Sequence, residues 1–133
     1  VGRGQLHPNL VRDPRVTSLE ATDIRRAEQL PVAAFDLGTV DVSFISVLLV
    51  LPSILNHMKE SSYLVVLIKP QFEVGRAGIG RGGVVQDATM KAEAVTRIRT
   101  LVADKGFEIL GVVPSPIAGG DGNEEFLLGA RHG

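Results

Sequence analysis

The sequence predicts an α/β fold around a mostly parallel sheet, and three observations carry that prediction. Apolar segments of strand length alternate with segments of helical period along most of the chain, the order that builds β-α-β crossovers. Residues 62–68 (SYLVVLI) are apolar almost without a break, as in a strand covered on both faces. The last two strand candidates have no helix between them, so they are expected to pair antiparallel and close the sheet.

Each element has its own signal. A short polar helix can be drawn through residues 5–12, weakened or delayed by Pro8, and Asp13-Pro14 marks a turn. Residues 15–21 (RVTSLEA) read as a strand. Asp23 could cap a helix over residues 24–30 (IRRAEQL) that Pro31 closes. A second strand lies within residues 35–44 and ends near Asp41. A helix over residues 46–59 follows, with Pro52 as a kink or start signal. After the apolar strand comes a glycine-rich loop, residues 71–86. Asp87 then caps an amphipathic helix with Val95, Ile98, Leu101 and Val102 in one stripe and Gly106 at its end. Residues 107–113 form a strand, 114–123 (PSPIAGGDGN) a loop, and 124–131 the final strand. Sheet strands are thus expected near residues 16–21, 36–41, 62–69, 107–113 and 124–131.

Length and composition fit one soluble domain: 133 residues, 44% hydrophobic and 22% charged. A net charge of −1 gives no electrostatic ground for binding nucleic acid or an anionic membrane. The absence of cysteine excludes disulfides and thiolate metal sites and fits a reducing cytoplasm. Residues 45–55 (ISVLLVLPSIL), the most apolar stretch, are too short to cross a bilayer, which takes about 20 residues. His7, His57 and His132 share no ligand spacing, so no metal is expected.

Four features could carry chemistry. Asp41 stands at the C-terminal end of a strand, the edge where α/β sheets bind ligands, and a helix-capping role fits it as well. Lys69 ends the apolar run and is followed by Pro70. Its stem could simply pack while the amine reaches solvent, but a partly desolvated lysine there also suits a general base. Gly78-x-Gly80-x-x-Gly83 has dinucleotide-fingerprint spacing in the wrong place, far past the strand. A flexible lid with Arg76 and Arg81 offered to phosphates is the better account. Of Glu124 and Glu125, alternation turns one toward the covered side of the sheet.

The segments VDVSFISVLLVLPSI, LIKPQFEVGRAGIGRGGVVQD and FEILGVVPSPIAGGDGNEEFLL together resemble the TlyA family, whose members also carry the name hemolysin A. The resemblance runs from about Gly4 to Leu128 and implies a Rossmann-like methyltransferase sheet with helices on both faces and an antiparallel last strand. It implies S-adenosylmethionine as cofactor and an FtsJ-like (RrmJ-type) reaction, methylation of a ribose 2′-hydroxyl of rRNA, with cytidine the family's target. By motif match, Asp41, Lys69 and Glu125 fall on the acid, second lysine and glutamate of the family's Lys-Asp-Lys-Glu tetrad. Glu20 and Asp23, in EATDIR, match a family stretch E-x-T-N-I-R near the cofactor's adenosine, with Asp in place of the usual Asn. Asp41 would lie beside the cofactor too.

The sequence contains neither the family's first-strand motif D-x-G-x-S-x-G-G-F-T-D, nor its upstream lysine, nor its S4-like RNA-binding domain. Residues 1–133 are therefore expected to be a partial, N-terminally truncated methyltransferase domain that alone binds S-adenosylmethionine poorly and has little activity. Its rRNA and ribosomal-subunit partners would be engaged by the full-length protein. Two other readings compete. One is a membrane-active hemolysin, against which the lack of a membrane span or basic amphipathic helix speaks. The other is a binding or dimerisation module without catalysis, for which an open sheet edge would serve as a self-association surface.

Overall fold

The computed structural model describes residues 2–26, 30 and 34–133. It divides into two compact units, Val1–Ala33 and Ala34–Gly133.

In the first unit, helix α1 spans only Pro8–Val11. Pro8 stands in its first turn, where a missing N–H costs nothing, and His7 Nδ1 accepts from Asn9 N at 3.1 Å. The Asp13-Pro14 turn is held by Val16 N donating to Asp13 O and by an Arg15–Asp13 ion pair at 2.8 Å. The strand expected at residues 16–21 does not form. Val16 and Leu19 lie exposed, and without a neighbouring strand to receive its ladder the segment stays irregular. Asp23 does open a helical turn, Ile24–Arg26, of 3-10 type. The rest of that expected helix falls mainly on residues 27–29, and its closing Pro31 on residues 31–33, outside the described residues.

The second unit carries a four-stranded mixed sheet. Strand β1 (Phe35–Val40) leads through helix α2 (Val47–Leu55) to strand β2 (Met58–Ile68). Helix α3 (Ala88–Asp104) then leads to β3 (Phe107–Pro114), and β4 (Phe126–His132) returns. The spatial order is β1-β2-β4-β3, with β1 parallel to β2 and β4 antiparallel to both β2 and β3. The last strand thus slots between two strands joined by the α3 crossover.

α2 is shorter than expected. Asn56 caps it, and Met58 and Lys59 belong to the following strand, which begins four residues before the apolar run. A register irregularity between Phe35 and Leu37 and a left-handed Ser61 (φ 61°) bend β2 there, so periodicity alone hides its polar start. Asp87 caps α3 as expected, accepting from Thr89 N and Met90 N, and Gly106 follows its end at φ 91°.

Both helices of this unit lie on one face of the sheet, where Leu51, Leu64, Val66, Ile98 and Leu128 are buried together. The other face of β2 is open: Tyr63 and Val65 are exposed, so the apolar run alternates in burial and is not covered on both sides.

Candidate active site

The sheet delivers its reactive side chains to one rim. β1 and β2 run parallel, so Asp41 and Lys69, one residue beyond each, emerge at the same edge. β4 runs the other way and pairs Phe126 with Ile68, so Glu125, just before β4, arrives at that edge too. All three line one cavity of about 710 Å³, together with Ser43, Phe44, Gln71, Phe72 and Asn123.

Lys69 Nζ lies 2.6 Å from Asp41 Oδ1 and donates to Ser43 Oγ at 3.0 Å. The lysine side chain is 14% exposed and the aspartate 68%, so the amine is sheltered while its acid partner faces the opening. Pro70 starts a 3-10 turn, Pro70–Phe72, that ends the strand and leaves Lys69 extended. The cap of α2 is Ser46, not Asp41, so Asp41 is left to the amine.

Glu125 is buried, whereas Glu124 is exposed. Its Oε2 accepts from Gln71 Nε2 at 2.8 Å, and no ion pair joins it to Lys69 among the described residues. The amide orientation this bond imposes leaves Gln71 Oε1 buried without a partner. Gly119 packs directly against Glu125, and a Cβ there would displace its Oε2 oxygen.

The glycine-rich loop is pinned. Gly80 N donates to Val84 O at 2.8 Å. Asn123 Oδ1 accepts from Val85 N at 3.0 Å, and its Nδ2 donates to Gly83 O and Gly120 O, each at 2.9 Å. This loop forms part of the cavity wall, contributing Ile79 and Gly83, and the dinucleotide spacing has no helix to open.

Sequence reasoning passed over four residues that shape this rim: Ser43, Gln71, Glu73 and Asn123. Three of them sit in residues 69–73 (KPQFE) and 122–126 (GNEEF), at fixed short spacings from Lys69 and Glu125 that mark them. Phe44 had none. Its backbone is left-handed (φ 62°), which is rare for a bulky residue; the residue is 90% exposed, and its ring lies 5.0 Å from that of Phe72.

Glu20 and Asp23 belong to the first unit. Glu20 accepts from Gly4 N at 3.0 Å and lines a small cleft with Gln5 and Ser18. Asp23 is bound by Arg25 at 2.7 Å, which lowers its carboxyl pKa to about 2. Among the described residues no group of His, Asp and Glu is arranged to hold a metal ion, and no helix is long and apolar enough to cross a membrane.

Residues 1–132 match the model of the FtsJ-like methyltransferase family. The chain belongs to that family. It is 39% identical over 132 residues to the 16S/23S rRNA (cytidine-2′-O)-methyltransferase TlyA of Mycobacterium tuberculosis, covering 98% of this chain and 49% of the relative. It is 40% identical over 130 residues to YqxC of Bacillus subtilis, provisionally named an rRNA methyltransferase, covering 96% and 46%. A solved structure from Lactococcus lactis, provisionally named a hemolysin, superposes with a TM-score of 0.89 at 32% identity, covering 99% of this chain and 64% of that one. The chain spans about half the length of the curated relatives it matches.

Proposed function

We propose that this chain forms the acceptor-side part of an S-adenosylmethionine-dependent rRNA methyltransferase that modifies the ribose 2′-hydroxyl of cytidine in the cytoplasm. The Lys69–Asp41 pair at a cavity rim carries the reading. A ribose hydroxyl is a weak nucleophile and needs a positioned base. Lys69 Nζ, at the cavity rim, is the group placed to take the hydroxyl proton as the oxygen attacks the methyl carbon. Asp41 and Ser43 fix that nitrogen, and Glu125, held by Gln71 in the same cavity, orients the sugar. Phe44 and Phe72 offer aromatic surfaces of the kind on which unstacked bases rest.

The residues present fit the reacting end of the cofactor, because the exposed Asp41 carboxylate suits the neighbourhood of a sulfonium cation. When bound, S-adenosylmethionine supplies an electrophilic methyl group. Glu20 and Asp23 are proposed as adenosine contacts on the EATDIR match alone. No glycine-rich first-strand motif in this sequence serves the methionine end, so the chain by itself is expected to bind the cofactor weakly. Calorimetry with S-adenosylmethionine should show no tight binding, and micromolar affinity would overturn that expectation.

The decisive experiment joins this chain to the amino-terminal half of the Mycobacterium tuberculosis relative and measures tritium transfer from labelled S-adenosylmethionine to rRNA. Lys69→Ala and Asp41→Asn should each lower kcat by about 100-fold or more, the scale of a lost general base. The Asp41→Asn variant should leave folding nearly unchanged, because its carboxylate is largely exposed and such a pair stabilises by about 1 kcal/mol at most. Transfer that survives Lys69→Ala, or a label that lands on base carbons, would refute the assignment.

A further inference from the structure

We propose that Glu73 is a positioning residue for the Lys69–Asp41 pair, a carboxylate strut that sets the separation of the two turns carrying them. The inference rests on the transferase reading of that pair and adds to it a residue that touches neither substrate nor cofactor.

The two turns belong to different strands. Asp41 and Ser43 lie between β1 and α2, and Lys69 precedes the 3-10 turn after β2. They meet at the Lys69 amine, through Asp41 at 2.6 Å and Ser43 at 3.0 Å. One flexible lysine cannot by itself fix the distance between two loops, since its four-carbon stem adapts to many spacings. A second, stiffer connection stands a few residues along each turn. Ser46 Oγ donates to Glu73 Oε2 at 2.5 Å and Val47 N donates to Glu73 Oε1 at 2.8 Å. Both carboxylate oxygens are thus engaged by consecutive residues at the start of α2, where the helix dipole favours an anion. Ser46 Oγ in turn accepts from Leu48 N at 3.2 Å, so the helix start is capped from within and braced from outside.

Glu73 is itself held from a third direction. Arg97, on α3, donates through Nη2 to Glu73 O at 3.0 Å. Side chain and carbonyl together tie the turn after Lys69 to both helices of the unit, while the amine closes the loop on the rim side. Removing the side chain would free the 41–46 turn to move relative to Lys69. A displacement of about 1 Å at a reacting group can lower a rate by about 100-fold.

The test uses this chain with isotopically labelled lysine. In the parent, NMR should show a nuclear Overhauser contact between the Lys69 Hε and Ser43 Hβ protons, and Asp41→Asn should shift the Lys69 Cε resonance. In Glu73→Ala the contact should vanish and Asp41→Asn should no longer move Lys69. Glu73→Gln keeps an oxygen for Val47 N and should restore both. In the joined, active protein Glu73→Ala should lower kcat by about 10- to 100-fold with KM unchanged, and Glu73→Gln should recover most of it. If Glu73→Ala fails to fold, Ser46→Ala removes half of the strut and should weaken the same contact. A folded Glu73→Ala that melts lower but keeps the Lys69–Ser43 contact would show a stabilising role only and overturn the proposal. A parent that never methylates RNA would sink the transferase reading while the NMR comparison still decides the strut.

Discussion

Replacing Asn123 by Ala should destabilise the second unit and loosen the cavity wall together. Asn123 is nearly fully buried and makes three side-chain hydrogen bonds, two that tie the glycine-rich loop to the turn before β4 and one that closes that turn. Val85 is buried as well, so its N–H would lose its acceptor with no water to replace it, at a cost of about 1–3 kcal/mol. Gly83 and Gly120 are more accessible, and their carbonyls can be rehydrated for about 0.5–1 kcal/mol each. The expected loss is therefore about 2–5 kcal/mol, a large share of the 5–15 kcal/mol typical of a domain. For a unit of this size the melting temperature should fall by at least about 8 °C. Asn123→Asp keeps an acceptor for Val85 N but turns a carboxylate oxygen toward two carbonyls, so it should rescue little. Urea unfolding followed by circular dichroism measures both variants against the parent. An Asn123→Ala midpoint within about 0.5 kcal/mol of the parent, or an Asp variant as stable as Asn, would refute the view that this amide is the pin.

Two further outcomes follow from the same geometry. Gly119→Ala would press a methyl group onto the buried Glu125 carboxylate, so the joined protein should lose methyl transfer while Lys69 keeps its contact with Ser43; unchanged transfer would remove Glu125 from the site. Asp23, paired with Arg25, has its folded pKa depressed from 3.8 to about 2. What the pair contributes is therefore complete above the unfolded value and is lost as pH falls through about 2. Carboxyl carbon NMR should place the Asp23 midpoint near 2, and Arg25→Ala should return it toward 3.8.

Much of the second unit was legible because its periodicities are long and its punctuation is local. Asp87, the α3 stripe and Gly106 each act within one helix. The absence of a helix between β3 and β4 forced a reversal. The start of β2 was not legible, because residues 58–61 are polar and join the sheet only by pairing with β1 through an irregular register. Residues 15–21 show the opposite failure: β-favouring side chains without a pairing partner remain irregular. At the rim, strand ends located Asp41 and Lys69, and alternation gave Glu125 its buried side. The cross-braces Gln71, Glu73 and Asn123 could not be derived this way, since each joins residues 26 or more apart in sequence through a single side chain.

The reversed direction of β4 puts two chemically different rims at the ends of one strand. Having begun beside the cavity at Glu125, the strand carries His132 to the far rim, where its ring stacks on Phe107 and bonds Lys59 O. A probe attached near His132 therefore sits at the opposite end of β4 from Lys69, where it can report on the sheet without blocking the cavity.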